Sequence, residues 1–152
     1  MSRKMNPSFH ELDRAKCEAI LSRNQLGRIA FSFHDRVDIE PIHYVHSGEW
    51  LYVRTSPGAK LLTLAHNKWV AFEVDEVAGL FDWRSVVVRG SAYMLDPEGT
   101  KSDRQAHGEG VQLLRAVVPQ TFREDDPVSF RDLLIRIHID EMSGREATTA
   151  SR

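Results

Sequence analysis

The segment from Thr55 to Lys60 brings together residue types that bind phosphate groups. Ser56 followed by Pro57 is typical of a helix start, because serine caps the first free amides and proline fits the first helical position. Those amides, two hydroxyls and a lysine one turn inside the helix would surround an anion at the positive end of the helix dipole. In the alternative interpretation Ser56 only caps the helix and Lys60 is solvated. The segment lacks the glycine pattern of a P-loop, so hydrolysis of nucleoside triphosphates is not indicated.

A second candidate segment runs from Trp83 to Gly90 and has the alternation of a strand. Trp83 and Ser85 would share one face of that strand, with Arg84 on the other. An aromatic ring beside a hydroxyl suits a cleft that binds a ring compound. The alternative is that Trp83 packs on the end of the sheet and Ser85 is an ordinary strand serine.

Other reactive residue types do not form a predicted site. His43 and His46 would point to opposite faces of a strand, and neither has an HExxH or cysteine partner, so no metal site is expected. The single cysteine, Cys17, lies in a helical pattern where a thiol is usually structural. Glu73 and Asp75 share one strand face and are interpreted as its solvent side rather than as an acid pair. No catalytic side chain is predicted.

Composition and charge describe an ordinary globular chain of 152 residues with no basic half. Twenty Lys and Arg side chains stand against 22 Asp and Glu, which gives a formal net charge of −2. A surface for the phosphate backbone of nucleic acid is therefore not expected. The apolar runs are too short for a transmembrane helix, and the start MSRKMNPS leads into polar residues rather than an apolar signal core. One cysteine fits a reducing compartment, so we expect a cytoplasmic protein without membrane or nucleic-acid partners.

Three helices are predicted to flank the strands that carry these residues. Ser8 and Glu11 stand in the capping-box relation, which predicts a first helix from Ser8 to Asn24. Further helices are predicted over 57–67 and 100–118. Small polar residues from Ser143 onward are expected to fray, which gives one domain over 1–152 with flexible tails at 1–7 and 143–152.

Alternating apolar residues predict about six strands, over 25–33, 37–46, 49–54, 69–75, 82–95 and 133–140. The longest strand contains Gly90, and a glycine inside a strand marks a bulge or a tight bend, which implies a curved, closed sheet. The pattern predicts a mainly β protein, a small antiparallel barrel with flanking helices. Pattern alone leaves OB-like, lipocalin-like and split barrels open.

Taken in order, several segments resemble the pyridoxamine 5′-phosphate oxidase-like, FMN-binding split barrels. The resemblance covers about residues 9–142 and also includes Gly144 and Arg145. The segments that carry it are 25–31 (QLGRIAF), 41–44 (PIHY), 51–55 (LYVRT), 58–61 (GAKL), 70–75 (VAFEVD), 83–90 (WRSVVVRG) and 136–140 (RIHID).

The resemblance implies a homodimeric split barrel with one flavin in each of two clefts at the subunit interface. It implies three groups of flavin contacts. Thr55, Ser56 and Lys60 would hold the FMN phosphate. Ile42, His43 and Tyr44 would lie along the isoalloxazine, partly through backbone groups. Trp83, Arg84 and Ser85 would contact the flavin or its tail. A dimer is also expected because Trp50, Tyr52, Trp69 and Trp83 lie on strands of a chain too small to bury every sheet face.

One departure from the family pattern bears on function. Members that oxidise pyridoxine phosphates have a C-terminal segment with arginine and tryptophan, whereas no tryptophan follows Trp83 here. The chain is therefore grouped with general flavoproteins that resemble nitroimidazole-resistance reductases. The resemblance implies an FMN-dependent oxidoreductase acting on a small molecule. The alternative is a non-catalytic module that stores or senses flavin, deazaflavin or haem.

Overall fold

The computed structural model describes residues 5–59, 61 and 68–149. This part of the chain forms seven strands and two α-helices. In chain order they are β1 (Pro7–Leu12), α1 (Arg14–Arg23), β2 (Leu26–Phe33), β3 (Arg36–Ser47), β4 (Trp50–Thr55), β5 (Trp69–Gly79), β6 (Asp82–Leu95), α2 (Lys101–Val117) and β7 (Leu133–Thr149). Neither of these described helices is long and apolar enough to cross a membrane.

The strands form one antiparallel sheet in the order β1-β7-β4-β3-β2-β5-β6. A further pairing of β6 with β7 closes this sheet into a barrel. The β6–β7 register shifts between Arg89 and Gly90, where a Cβ on Gly90 would clash with the carbonyl oxygen of His138. The bend predicted at Gly90 is confirmed, because only glycine lets the two backbones approach this closely.

The barrel core consists of alternate side chains from β2 to β7, together with one face of α1. Tyr44 links the two, since its hydroxyl donates a 2.6 Å hydrogen bond to the carbonyl oxygen of Leu21. Burial raises the pKa of that hydroxyl, and the nearby Glu76 carboxylate raises it further. A second cluster, Tyr52, Leu95, Ala106, Leu114 and Leu134, packs α2 against the outer face of the sheet. In the described part of the chain, α2 thus lies on the outside of a filled barrel.

The first predicted helix begins later than the capping-box pattern indicates. Residues Pro7–Leu12 form β1, paired with β7, and α1 starts after Asp13, whose carboxylate accepts the Lys16 N–H at 2.9 Å. Pairing along the edge of β7 satisfies the backbone of this segment and overrides the local signal of Ser8 and Glu11. The predicted end at Asn24 is confirmed. The sheet has seven strands rather than six because β1 joins it.

The fraying predicted from Ser143 is also wrong, since β7 continues to Thr149 between β1 and β6. Its small residues are required by packing. A Cβ on Gly144 would clash with the Cys17 sulfur, and Ala147 is fully buried. The small residues that predicted a flexible tail are the ones that fit into the closely packed strand.

Candidate functional site

Strands β3 and β4 bring two predicted groups of site residues to one edge of the sheet. Tyr44 lies opposite Val53. Continuing this antiparallel register, His43 lies opposite Arg54, and Ile42 lies opposite Thr55. The side chains of Ile42 and Tyr44 are buried in the barrel core, whereas His43 is exposed on the outer face. At this edge β3 therefore offers the His43 ring and backbone groups, while its two flanking side chains belong to the core.

The residues after β4 form a turn rather than the start of a helix. The Ala59 N–H donates to the Ser56 carbonyl oxygen at 3.2 Å, and Gly58 has φ +82°, a left-handed value that an α-helix does not contain. The helix predicted to begin at Pro57 is thus wrong for 57–59, because proline followed by glycine favours a tight turn. The rest of that prediction, residues 62–67, and the predicted phosphate ligand Lys60 lie outside the described residues.

A cavity of about 440 Å³ lies between this edge and α2. His43 and Arg54 line it from the sheet, and Gln25 lines it from the start of β2. The last turns of α2 and the loop that follows close the other side. Most of that wall is aliphatic, contributed by Leu114, Val117, Val118, Pro127 and Val128.

Arg54 forms a buried ion pair with Asp126 inside this wall. The two side chains are 8% and 1% exposed, and they pair in a bidentate fashion through both terminal nitrogens of the guanidinium. The Arg54 Nε donates to the carbonyl oxygen of Arg131 at 2.9 Å. The hydrogen bonds from Arg54 hold the pKa of Asp126 down, to about 2.

Asp126 also organises the loop around itself. Its carboxylate accepts the N–H groups of Phe122 at 2.8 Å and Val128 at 3.0 Å. The Arg54 guanidinium lies 4.3 Å from the centre of the Phe122 ring. Sequence reasoning missed this pair, because Asp126 lies in a polar loop and its partner is 72 residues away.

The third predicted group lies on β6, with Trp83 and Ser85 on the outer face of the same sheet and Arg84 on the other face. The Ser85 hydroxyl donates a 2.8 Å hydrogen bond to Glu73, and Arg28 lies 3.3 Å from the same carboxylate. Burial raises the pKa of Glu73. Arg84 is 3.6 Å from Glu146, and the Trp83 ring centre is 6.4 Å from that of Phe9. Glu73 lies on the outer face of its strand, as predicted, but it is half-buried there and held by two partners.

Trp83 and Ser85 line other cavities than His43 does. One, of about 340 Å³, also has Arg89 and Arg145 in its wall, and the other, of about 460 Å³, lies between Trp83 and β1. Strands β2 and β5 separate β3 from β6, a distance of about 14 Å along the sheet for a strand spacing near 4.8 Å. The structure thus joins the first two predicted groups and keeps the third apart.

A seven-stranded antiparallel barrel with ligand-sized clefts on its outer face defines the class of split-barrel proteins. Comparison with known families identifies the family within that class. The family model of pyridoxamine 5′-phosphate oxidase matches residues 13–146, so the chain belongs to that family. The resemblance seen in the sequence is confirmed.

Three similar proteins are described here, one found by sequence and two by structure. An uncharacterized protein of Rhizobium meliloti is 35% identical over 79 residues, so the match spans about half of this chain and about half of that protein, 52% of each. A FAD-binding protein of Mesorhizobium loti is 24% identical, with a TM-score of 0.73 over 94% of this chain and 99% of its own. A FAD and haem binding protein of Mycobacterium smegmatis is 15% identical, with a TM-score of 0.64 over 93% of this chain and 76% of its own.

Proposed function

We propose that this chain binds a flavin, FMN, and acts as a flavin-dependent oxidoreductase on a small molecule. The observation that carries the proposal is the meeting of His43 with the Thr55–Ser56 strand end at one edge of the sheet. Family membership supports it, as does the similarity to barrels that are named for binding FAD.

The donor set at this edge suits a phosphorylated ligand. Among the residues described, neither the Thr55 nor the Ser56 hydroxyl is engaged in a hydrogen bond. Ser56 is partly exposed and can donate to phosphate oxygens, whereas Thr55 is buried, with 6% of its surface exposed, and offers its hydroxyl only at the strand end. Gly58 has no side chain, and the space that a Cβ would take there is open, with no atom beyond its two chain neighbours within 4 Å. Lys60 follows the turn and is proposed to supply the positive charge.

A bound flavin supplies the hydride and electron chemistry, and the protein supplies orientation and exclusion of water. On β5, Glu73 holds a proton more readily than an ordinary carboxyl because burial raises its pKa. Its hydrogen bond from Ser85 fixes that carboxyl on the outer face of the sheet. Arg28, 3.5 Å from Asp75, keeps one positive charge beside the two acids.

We propose that the complete site requires two copies of the chain, because within one copy Trp83 and Ser85 line other cavities than His43 does. The surface proposed for self-association lies on the outer face of β2, β3 and β5. There Val37, Ile39 and Trp69 are 84%, 62% and 69% exposed, and cross-strand pairing places Ala30 between Ile39 and Ala71. Contiguous apolar surface of this kind marks an interface. The expectation that Tyr52 is part of it is wrong, since Tyr52 is buried under α2.

A second candidate is a module that holds flavin or haem without turnover, which the FAD and haem binding relative favours. The absorption spectrum of the purified protein separates the cofactors, because flavin, deazaflavin and haem absorb at different wavelengths. Under the proposal the protein shows flavin bands, which bleach with a nicotinamide donor and return with a small electron acceptor. Flavin bands that no donor bleaches would favour the storage module, and a haem spectrum without flavin would refute the proposal.

A further inference from the structure

We infer that the cavity between β3, β4 and α2 seats the second reactant, and that this reactant is an uncharged, mainly apolar ring compound rather than a phosphorylated one. The inference rests on the proposed function in treating the ligand as a reactant. His43 belongs both to this cavity and to the proposed flavin site, so a molecule in the cavity would lie next to the flavin.

The size and walls of the cavity suit such a compound. Its volume of about 440 Å³ falls within the range of small-molecule pockets. Leu114, Val117 and Val128 form an aliphatic wall opposite the sheet. Aliphatic walls favour ligands that lose little hydration on entering, and a ring with one polar substituent meets that condition.

The Arg54 guanidinium in the cavity wall is already hydrogen-bonded to protein groups. Each nitrogen of the Arg54 guanidinium donates to a protein oxygen, through the carboxylate of Asp126 and the carbonyl groups of Arg131 and Val128. The two side chains are only 8% and 1% exposed, and their charges offset each other. Only one N–H, on Nη1 of Arg54, has no acceptor among the described residues. Among the described residues that line the cavity, the remaining cation is Arg131, a half-exposed guanidinium that balances one charge and not a phosphate dianion.

Two polar side chains remain to orient a neutral ring. Gln25 and His43 line the cavity, are exposed, and make no side-chain hydrogen bond within the described part of the chain. Together they supply both donors and acceptors, which suits a carbonyl or hydroxyl substituent on the ring. Thr121 is not available, because its hydroxyl donates to the Val118 carbonyl oxygen at 2.7 Å.

The test compares 1-naphthol with 1-naphthyl phosphate, two ligands that differ only in the phosphate, by calorimetric titration into the flavin-loaded protein. We expect the wild type to bind 1-naphthol at least about tenfold more tightly. Val117→Lys adds a cation at the cavity rim, at a position that is 40% exposed and at a helix C-terminus, where lysine is favourable. In that variant the preference for 1-naphthol over 1-naphthyl phosphate is expected to fall about tenfold. Met94→Lys adds the same charge at a 49% exposed position on β6 and is expected to leave the preference unchanged.

Several outcomes would overturn the inference. These are equal or tighter binding of the phosphate by the wild type, no binding of 1-naphthol, and an equal response to both lysine variants. Displacement of 1-naphthol by added flavin would show that the cavity holds the flavin itself and would overturn it as well. Flavin titration of the same samples keeps the two proposals apart. Intact flavin binding without 1-naphthol binding refutes only the present inference. Binding of 1-naphthol without flavin binding refutes the proposed function and, with it, the role of the ligand as a reactant, and leaves only a binding site for a neutral ring.

Discussion

Arg54 and Thr55 are neighbours in sequence, yet they have different roles. Arg54 is committed to Asp126 and so fixes the end of β4 against the loop after α2. Thr55 and Ser56 follow directly and keep their hydroxyls free among the described residues. A rigid strand end followed by unpaired donors is the arrangement that a phosphate site needs, because the donors are held in place before the ligand arrives.

We predict that Lys60→Ala weakens the binding of FMN at this strand end far more than the binding of riboflavin, which has no phosphate. Loss of a charge-assisted contact costs on the order of 1.5–3 kcal/mol, or roughly ten- to a hundredfold in affinity. Titration of both flavins into wild-type and variant apoprotein measures the difference. Equal losses for the two flavins would show that Lys60 does not contact the phosphate.

The buried ion pair predicts an acid-sensitive stability. The pKa of Asp126 is about 2 in the folded protein, against an ordinary value of 3.8, so its contribution is present above about pH 4 and is lost as the pH falls towards 2. Asp126→Asn should lower the free energy of unfolding at pH 7 by about 3–5 kcal/mol, because Arg54 is left buried and unpaired. It should also flatten the fall in stability between pH 4 and pH 2. Urea titrations across this range measure both effects.

Asp125→Asn is the matched control for that experiment. Asp125 is the adjacent residue in the same loop but is exposed. It should leave both the stability and its pH dependence close to wild type. If the two variants behave alike, the Arg54–Asp126 pair does not stabilise the fold.

At the scale of elements, α2 shows how packing decides whether replacing a glycine raises or lowers stability. A Cβ added at Gly108 would meet open space, whereas at Gly110 that atom would lie 2.7 Å from the Tyr52 ring and 2.8 Å from Leu134. Both residues lie inside the helix, where glycine costs about 0.5–1 kcal/mol relative to alanine. The two positions therefore respond in opposite directions to the same substitution.

We predict that Gly108→Ala raises the free energy of unfolding by about 0.5–1 kcal/mol. Gly110→Ala should lower it by about 1–3 kcal/mol, because the added methyl forces Tyr52 and Leu134 apart. Thermal and urea unfolding of the two variants provide the comparison. A gain in stability from Gly110→Ala would mean that α2 does not pack on the sheet as described.

The sequence predicted elements well where local pattern and tertiary environment agree. Both ends of β6 were predictable from alternation, and α2 begins and ends within one residue of its prediction. Prediction failed at β1, where pairing with β7 overrides a capping signal, and after Ser143, where small residues serve close packing. Both failures involve contacts between distant segments, which local pattern does not contain.

The candidate site was predictable in its residue types but not in its assembly. Motif order indicated residues 42–44, 55–56 and 83–85, yet only the sheet order shows that β2 and β5 separate the last group from the first. The partners of Arg54 and Ser85, which are Asp126 and Glu73, were also hidden. The first pairing depends on where the loop after α2 folds back, and the second depends on the register of the β5–β6 hairpin.

At the scale of the whole molecule, the exposed apolar face of β2, β3 and β5 predicts self-association. Ile39→Glu places a charge at its centre and should convert dimers into monomers by light scattering, with a parallel loss of flavin binding. Leu80→Glu is the control, because Leu80 is 73% exposed on the turn between β5 and β6. A dimer that survives Ile39→Glu would place the interface elsewhere.

The central claim is that one flavin site takes Thr55 and Ser56 from one copy and Trp83 from the other. The most direct test co-expresses two variants that each lack one half of the site, Thr55→Val with Ser56→Ala in one chain and Trp83→Ala in the other. Each variant alone should bind little flavin. In mixed dimers one of the two sites is intact, so random pairing should restore about a quarter of the wild-type flavin content. Flavin content that stays at the level of the single variants, in samples shown to contain mixed dimers, would contradict a shared site.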